Sequence, residues 1–143
     1  MQKTVANIID DKGRDIWSID ASRTVYEALE VMAAKNVGAL VVFSGETFCG
    51  IVSERDYARK VILASKGSRK TPISEIMTPD PVTVVPSDTV ASCMQLMTDR
   101  HFRHLPVIDD GALVGIISIG DVVRAVIEEQ KFLIDQLESY ITG

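Results

Sequence analysis

One stretch of this chain is written twice. Gly50-Ile51-Val52-Ser53-Glu54-Arg55-Asp56-Tyr57-Ala58-Arg59-Lys60-Val61-Ile62 returns as Gly115-Ile116-Ile117-Ser118-Ile119-Gly120-Asp121-Val122-Val123-Arg124-Ala125-Val126-Ile127. Each copy reads as a Gly turn, a short β-branched strand, a Ser placed to cap a helix, an Asp in its first turn, and an amphipathic helix. Laying residues 13–62 on 78–127 at a constant offset of 65, without a gap, gives 14 identities in 50 positions, several times what chance pairing gives. An internal duplication of this period decides the fold before any other feature is weighed.

Within a copy the hydrophobic period changes in a fixed order. Ile16-Trp17-Ser18-Ile19 alternates like a strand, and Ser22 starts a helix whose apolar residues Val25, Ala28, Leu29, Met32 and Ala33 recur at helical spacing, stopping between Asn36 and Gly38. Ala39–Phe43 is a continuous apolar strand, Ser44–Thr47 a turn, Phe48–Val52 its hairpin partner, and Asp56–Ala64 a second helix. The second copy repeats this with strand Val82-Thr83-Val84, helix Thr89–Arg100, strands Leu105–Ile108 and Leu113–Ile117, and a helix from Asp121.

A β-α-β-β-α unit of about 50 residues leaves one sheet face uncovered, and two copies resolve this by packing sheet to sheet about a pseudo-twofold axis. The expected architecture is therefore mixed α+β (α/β). Residues 13–64 form the first unit, 65–72 a polar, Gly/Ser-containing linker, 73–130 the second unit, and 131–143 a C-terminal helix extension. Ahead of the first unit, Val5, Ile8 and Ile9 suggest a turn or two of helix ended by Gly13. The last helix carries a stripe of Val123, Val126, Ile127, Ile134, Leu137 and Ile141, which suits either a fold back on its own domain or a dimer seam.

Composition narrows the function. A net charge of −5 disfavours nucleic acid as the main partner, although Lys66, Arg69 and Lys70 form a local basic cluster. No apolar run reaches the roughly 20 residues of a membrane span and the N-terminus lacks a signal-peptide pattern, so a cytoplasmic protein without a membrane partner is expected. Cys49 and Cys93 occupy apolar slots, which points to free thiols rather than a disulfide or zinc site. No catalytic triad, metal set, G-x-x-x-x-G-K-[ST] loop or G-x-G-x-x-G is apparent, and a non-enzymatic role is expected.

The duplicated β-α-β-β-α units, with G-I-[VI]-S-x-x-D-x-x-R in both and R-H-L-P-V-I at Arg103–Ile108, resemble the tandem cystathionine-β-synthase (CBS) domain pair, or Bateman module, over residues 13–127. The resemblance implies a cleft between the units that binds an adenosyl ligand: AMP in the first place, or ADP, ATP, NAD or S-adenosylmethionine. Asp56 and Asp121 match the residue that accepts hydrogen bonds from the ribose hydroxyls, a task suited to a carboxylate because it offers only acceptors to a diol's two donors. The alternative is a helix-start carboxylate favoured by the macrodipole.

Ser53 and Ser118 match a phosphate position at a helix N-terminus and equally suit simple capping. Arg55, whose counterpart is Gly120, and the pair Arg103 and His104, whose counterparts are Gly38 and Ala39, match phosphate-facing positions and make the two sites unequal. For the base the resemblance points to Met77, Thr78, Pro79 and Val82 in one pocket and Ile16 and Trp17 with Gly13 in the other, with Gly38, Ala39 and Pro106 alongside. Trp17 equally suits plain core or an interface; Arg59 and Arg124 suit solvent or phosphate; His101 reads as a polar helix end. The function implied is a regulatory, energy- or redox-sensing module that acts as a homodimer on an effector protein through ligand-dependent packing of its units. The alternative is a structural interaction module with vestigial clefts.

Overall fold

The computed structural model describes residues 2–142 and is a mixed α+β structure in two compact units, Ile16–Pro81 and Met1–Asp15 together with Val82–Gly143. In the first of these, β1 (Ser18–Asp20) runs parallel to β2 (Ala39–Ser44), with α2 (Val25–Lys35) as the crossover. β2 returns antiparallel as β3 (Thr47–Ser53), and β4 (Thr78–Pro79) pairs antiparallel with β3, giving the order β1-β2-β3-β4. Val25, Ala28 and Met32 of α2 pack on Leu40, Val42 and Val52 of the sheet and on Val61, Ile73 and Ile76. The hairpin turns at Gly45, whose φ of 63° is left-handed.

α2 starts later than Ser22 suggests. Thr24 caps it, reciprocally with Glu27, whereas Ser22 is engaged by Asp20, whose Oδ1 accepts from its amide at 2.9 Å and its hydroxyl at 2.7 Å. β1 likewise begins at Ser18 rather than Ile16. The helix expected from Asp56 is α3 (Glu54–Tyr57) running into a π-helical turn at Ala58–Ile62, with Val61 buried. Residues 65–70 are largely exposed, as a linker would be, but the segment is tied to α2: the amides of Tyr26 and Val25 donate to the carbonyls of Ser68 and Thr71, and Arg69 lies 4.1 Å from the centre of the Tyr26 ring.

The other unit contains α1 (Val5–Lys12), α4 (Val90–Arg100), the hairpin β5 (His104–Asp109) and β6 (Ala112–Ser118), and α5 (Ile119–Thr142). Thr4 caps α1 and Gly13, at φ 92°, ends it. Its Val5, Ile8 and Ile9 are buried among Val90, Cys93, Met97, Leu105, Val107, Ile117 and Val122. Burial pushes the Cys93 thiol up to about 11, so it behaves as a core residue. The strand expected at Val82-Thr83-Val84 reduces to one parallel bridge, Val84 to Val107. Pro81 and Pro86 flank it and lack the amide a longer ladder needs.

The offset of 65 survives in detail. α2 and α4, β2 and β5, and β3 and β6 keep it, as do the register shifts after Val42 and Val107 and the left-handed helix ends at Asn36 and His101. The flanking segments exchange places: Val25 donates to Thr71, just ahead of the second copy, and Val90 donates to Lys3, ahead of the first. Each compact unit is thus one copy closed by the segment that precedes the other. α5 buries Val122 and Ala125 and then leaves its unit, every residue from Gln130 to Ile141 being exposed, so it does not fold back on its own domain. Among the described residues no helix is long and apolar enough to cross a membrane.

Two matching glycines face different neighbours. A Cβ on Gly50 would stand 2.6 Å from the Thr78 carbonyl oxygen, whereas one on Gly115 would meet the Ile9 Cδ1 at 2.6 Å. Backbone in a strand pair cannot step aside, but a side-chain tip can. Gly50→Ala is expected to cost about 1–3 kcal/mol in urea unfolding and Gly115→Ala distinctly less.

Candidate functional site

Both repeated Asp residues close a capping box at the end of their hairpin. In the first copy the Asp56 Oδ2 accepts from the Ser53 amide at 2.9 Å and hydroxyl at 3.1 Å, and the Asp56 amide donates to the Ser53 Oγ at 3.2 Å. In the second, the Asp121 Oδ2 accepts from the Ser118 amide at 2.8 Å and the Asp121 amide donates to the Ser118 Oγ at 3.2 Å. The capping role is therefore real for both serines and both carboxylates. It uses one carboxylate oxygen and leaves the other directed elsewhere.

A lysine meets each carboxylate. Lys60, one turn after Asp56, approaches its Oδ1 at 3.2 Å and donates to the Ile76 carbonyl at 2.9 Å. Asp121 is met by Lys12 from α1, whose Nζ lies 2.7 Å from the Oδ2 and 2.8 Å from the Ile116 carbonyl oxygen, and by Arg124 at 3.4 Å from the Oδ1. Lys60 is signalled by its i+4 spacing from Asp56. Lys12, distant in sequence and matched to no copy motif, carries no such signal.

Around Asp56 the structure gathers several of the expected residues. Ala39 pairs with Ser53, the Glu54 amide donates to the Gly38 carbonyl at 3.0 Å, and Thr78 and Pro79 lie across β3 at Ile51 and Gly50. Met77 packs on this unit's core, Arg55 is half-buried, and Ile16 is half-buried at the start of the unit. Trp17 is exposed beneath the Lys35 ammonium, 4.5 Å from its ring, and its carbonyl accepts from the Val41 amide; it is not core.

Around Asp121, His104 pairs with Ser118, Pro106 with Ile116, and the Ile119 amide donates to the Arg103 carbonyl at 2.8 Å. Arg103 is exposed, His104 half-buried, Pro106 buried, and Val82 packs on the core. Val82 belongs to this unit, whereas Met77, Thr78 and Pro79, expected beside it, belong to the other.

A cavity of about 140 Å³ opens at Asp121, lined by Ile8, Asp11, Lys12, Arg124, Ala125 and Glu128. At roughly 30 Å³ per water it has room for a sugar- or phosphate-sized group. It offers three carboxylates, Asp11, Asp121 and Glu128, beside two cations, Lys12 and Arg124, a lining that suits a group rich in hydroxyl donors.

Burial, the largest influence on Asp121, pushes its carboxyl up, but the Lys12 ammonium and the Ser118 amide and hydroxyl together outweigh it, and the pKa lies below the ordinary value. A depressed carboxyl stabilises the fold above its unfolded value of about 3.9, and the contribution fades as pH falls through the folded value. Lys12→Met leaves burial unopposed by the ammonium. It is expected to cost about 1–3 kcal/mol at neutral pH and to move the acid-unfolding midpoint to higher pH, measurable by urea titrations between about pH 3 and 7.

The CBS domain family profile matches residues 7–63 and 73–128. A mitochondrial CBS domain-containing protein of Arabidopsis thaliana, CBSX3, is 42% identical over 98% of this chain, which spans 72% of that protein. The solved structure of a protein with CBS domains from Burkholderia ambifaria MC40-6 superposes with a TM-score of 0.86 at 48% identity, covering 90% of this chain and 96% of its own. A complex of CBSX2 with AMP superposes with a TM-score of 0.71 at 29% identity, covering 88% of this chain and 97% of that one. With its duplicated hairpin-to-helix corner and a profile match in both halves, the chain belongs to the CBS-domain family as a tandem pair.

Proposed function

We propose that this chain is a non-catalytic regulatory module that binds an adenine nucleotide, with AMP as the leading ligand and ADP, ATP or NAD as relatives sharing its adenosine half. The observation that carries the reading is the second carboxylate oxygen at each corner. With Oδ2 fixed by a serine amide, the Asp56 Oδ1 meets Lys60 at 3.2 Å and the Asp121 Oδ1 meets Arg124 at 3.4 Å, cations that a ribose diol can displace or a phosphate can attract. Ser53 and Arg55 at one corner and Ser118, Arg103 and His104 at the other are the phosphate-facing candidates. Gly38, Ala39, Met77, Thr78, Pro79, Ile16, Trp17, Val82 and Pro106 are candidates for holding the base. The AMP complex of the related CBSX2 supports the choice of ligand.

In this reading the nucleotide shifts the packing of the two units, and a cytoplasmic homodimer passes that change to an effector protein. Ligands that share one corner shift the equilibrium only by their differential affinities for its states. A second reading is favoured by the internal partners of both carboxylates: capping box and lysine account for them without any ligand, as a structural interaction module would require.

Calorimetry with AMP, ATP and NAD separates the two. Loss of a charge-assisted bond worth about 1.5–3 kcal/mol predicts that Asp56→Ala and Asp121→Ala each weaken binding at their own corner roughly 10- to 150-fold. Unchanged affinity in both variants discards the ribose assignment, and no heat with any adenosyl compound at millimolar concentration favours the structural reading.

A further inference from the structure

The two lysines that meet the corner carboxylates hold them differently. Lys60 follows Asp56 by one turn, approaches its Oδ1 at 3.2 Å, donates to the Ile76 carbonyl and is 46% exposed, so water and salt loosen its ion pair. Lys12 comes from a separate helix, as the last residue of α1, and its Nζ donates to the Asp121 Oδ2 at 2.7 Å and to the Ile116 carbonyl at 2.8 Å. The Lys12 side chain is 31% exposed and the Asp121 side chain 10%, which leaves this pair much less screened.

A carboxylate has about four acceptor sites, two on each oxygen. On the Asp56 Oδ2 the Ser53 amide takes one and the Ser53 hydroxyl the other, at 3.1 Å. A hydroxyl vacates such a site by turning about one bond. On the Asp121 Oδ2 the Ser118 amide takes one and the Lys12 ammonium the other. Arg124 stands 3.4 Å from the Oδ1. A vicinal diol that bridges both carboxylate oxygens needs a site on each, and at Asp121 the site on Oδ2 is held by a charge-assisted bond.

We propose that Lys12 is an internal competitor for the Asp121 corner: its ammonium holds the acceptor that a ribose diol needs, so this corner takes a nucleoside only as Lys12 withdraws, and the Asp56 corner fills first. The proposal rests on the nucleotide reading and adds an order of filling to it.

Withdrawal leaves the rest of α1 in place. Val5, Ile8 and Ile9, which anchor α1 in the core, precede Lys12, and Gly13 at φ 92° ends the helix directly after it. A change of side-chain rotamer therefore frees the ammonium without disturbing buried packing. Asp11 and Glu128 line the same cavity as Lys12 and Asp121 and offer the released ammonium other carboxylates. A lysine that instead served the ligand's phosphate would favour AMP and leave adenosine, which has the diol and no phosphate, unaffected.

Calorimetry with adenosine and with AMP tests the competition, with the folding of each variant checked by circular dichroism. Asp56→Ala leaves the Asp121 corner as the binding site under study, and adding Lys12→Met is expected to tighten adenosine and AMP alike by about five- to twentyfold. Reductive methylation followed by mass spectrometry reads the same event with Lys12 intact: saturating adenosine on Asp56→Ala is expected to raise the labelling rate of Lys12 about twofold or more relative to Lys131, because an ammonium released from a carboxylate loses its proton more readily. Adenosine affinity that is unchanged or weaker in the double variant, or labelling of Lys12 that is unchanged or slower, overturns the proposal. If the wild type still binds AMP in that case, the nucleotide reading stands. No heat from the wild type or from Lys12→Met with either compound removes both.

Discussion

The hydrogen bonds between Ser53 and Asp56, and between Ser118 and Asp121, are the hinge of each unit. A hairpin strand must end there and a helix must leave in a defined direction. The serine hydroxyl meets an orphan amide of the first turn while the carboxylate meets the serine's own amide. Once that corner is set, the hairpin carries its buried residues against α2 or α4, and the helix after the corner returns Val61 or Val122 to the same core. The same bonds hold a carboxylate, largely covered by protein, at the strand-to-helix turn. A structural device and a candidate recognition group are thus the same atoms.

The exchange of flanking segments turns two equal copies into unequal ones. The segment ahead of the second copy supplies the Ile76 carbonyl that anchors Lys60 beside Asp56, and the first residues of that copy supply β4. The segment ahead of the first supplies α1, and with it Lys12 at Asp121. One carboxylate is met by a lysine from its own helix, 46% exposed, and the other by a lysine from a separate helix, 31% exposed, together with Arg124. Two corners with nearly the same local sequence therefore differ in how readily a cation gives way.

Much of the fold was legible because it depends on local patterning. The helical spacing of Val25, Ala28 and Met32, the apolar run at Ala39–Phe43 and the Gly-anchored repeat located α2, the hairpins and both corners. The edges were less legible where two local signals compete. Ser22 resembles a cap but is held by Asp20, and Val82–Val84 resembles a strand but is flanked by prolines. In the candidate site, Asp56, Ser53, Asp121 and Ser118 stand where the repeat put them. Lys12 carries no signal in the sequence, because a contact spanning 109 residues leaves no periodicity to read.

The sequence by itself determined that the chain is a duplication, that each copy ends its hairpin in a Ser-x-x-Asp corner, and that the last helix carries an apolar stripe. These follow from periods of two and 3.6 residues and from a repeat visible without coordinates. Only the tertiary structure decided which segment closes which copy, which cation meets each carboxylate, and that the stripe on α5 meets its own core at Val126 but stands clear of it at Ile134, Leu137 and Ile141. Those are outcomes of long-range packing, in which a residue's partner is chosen by where the chain returns in space and not by what precedes it in sequence.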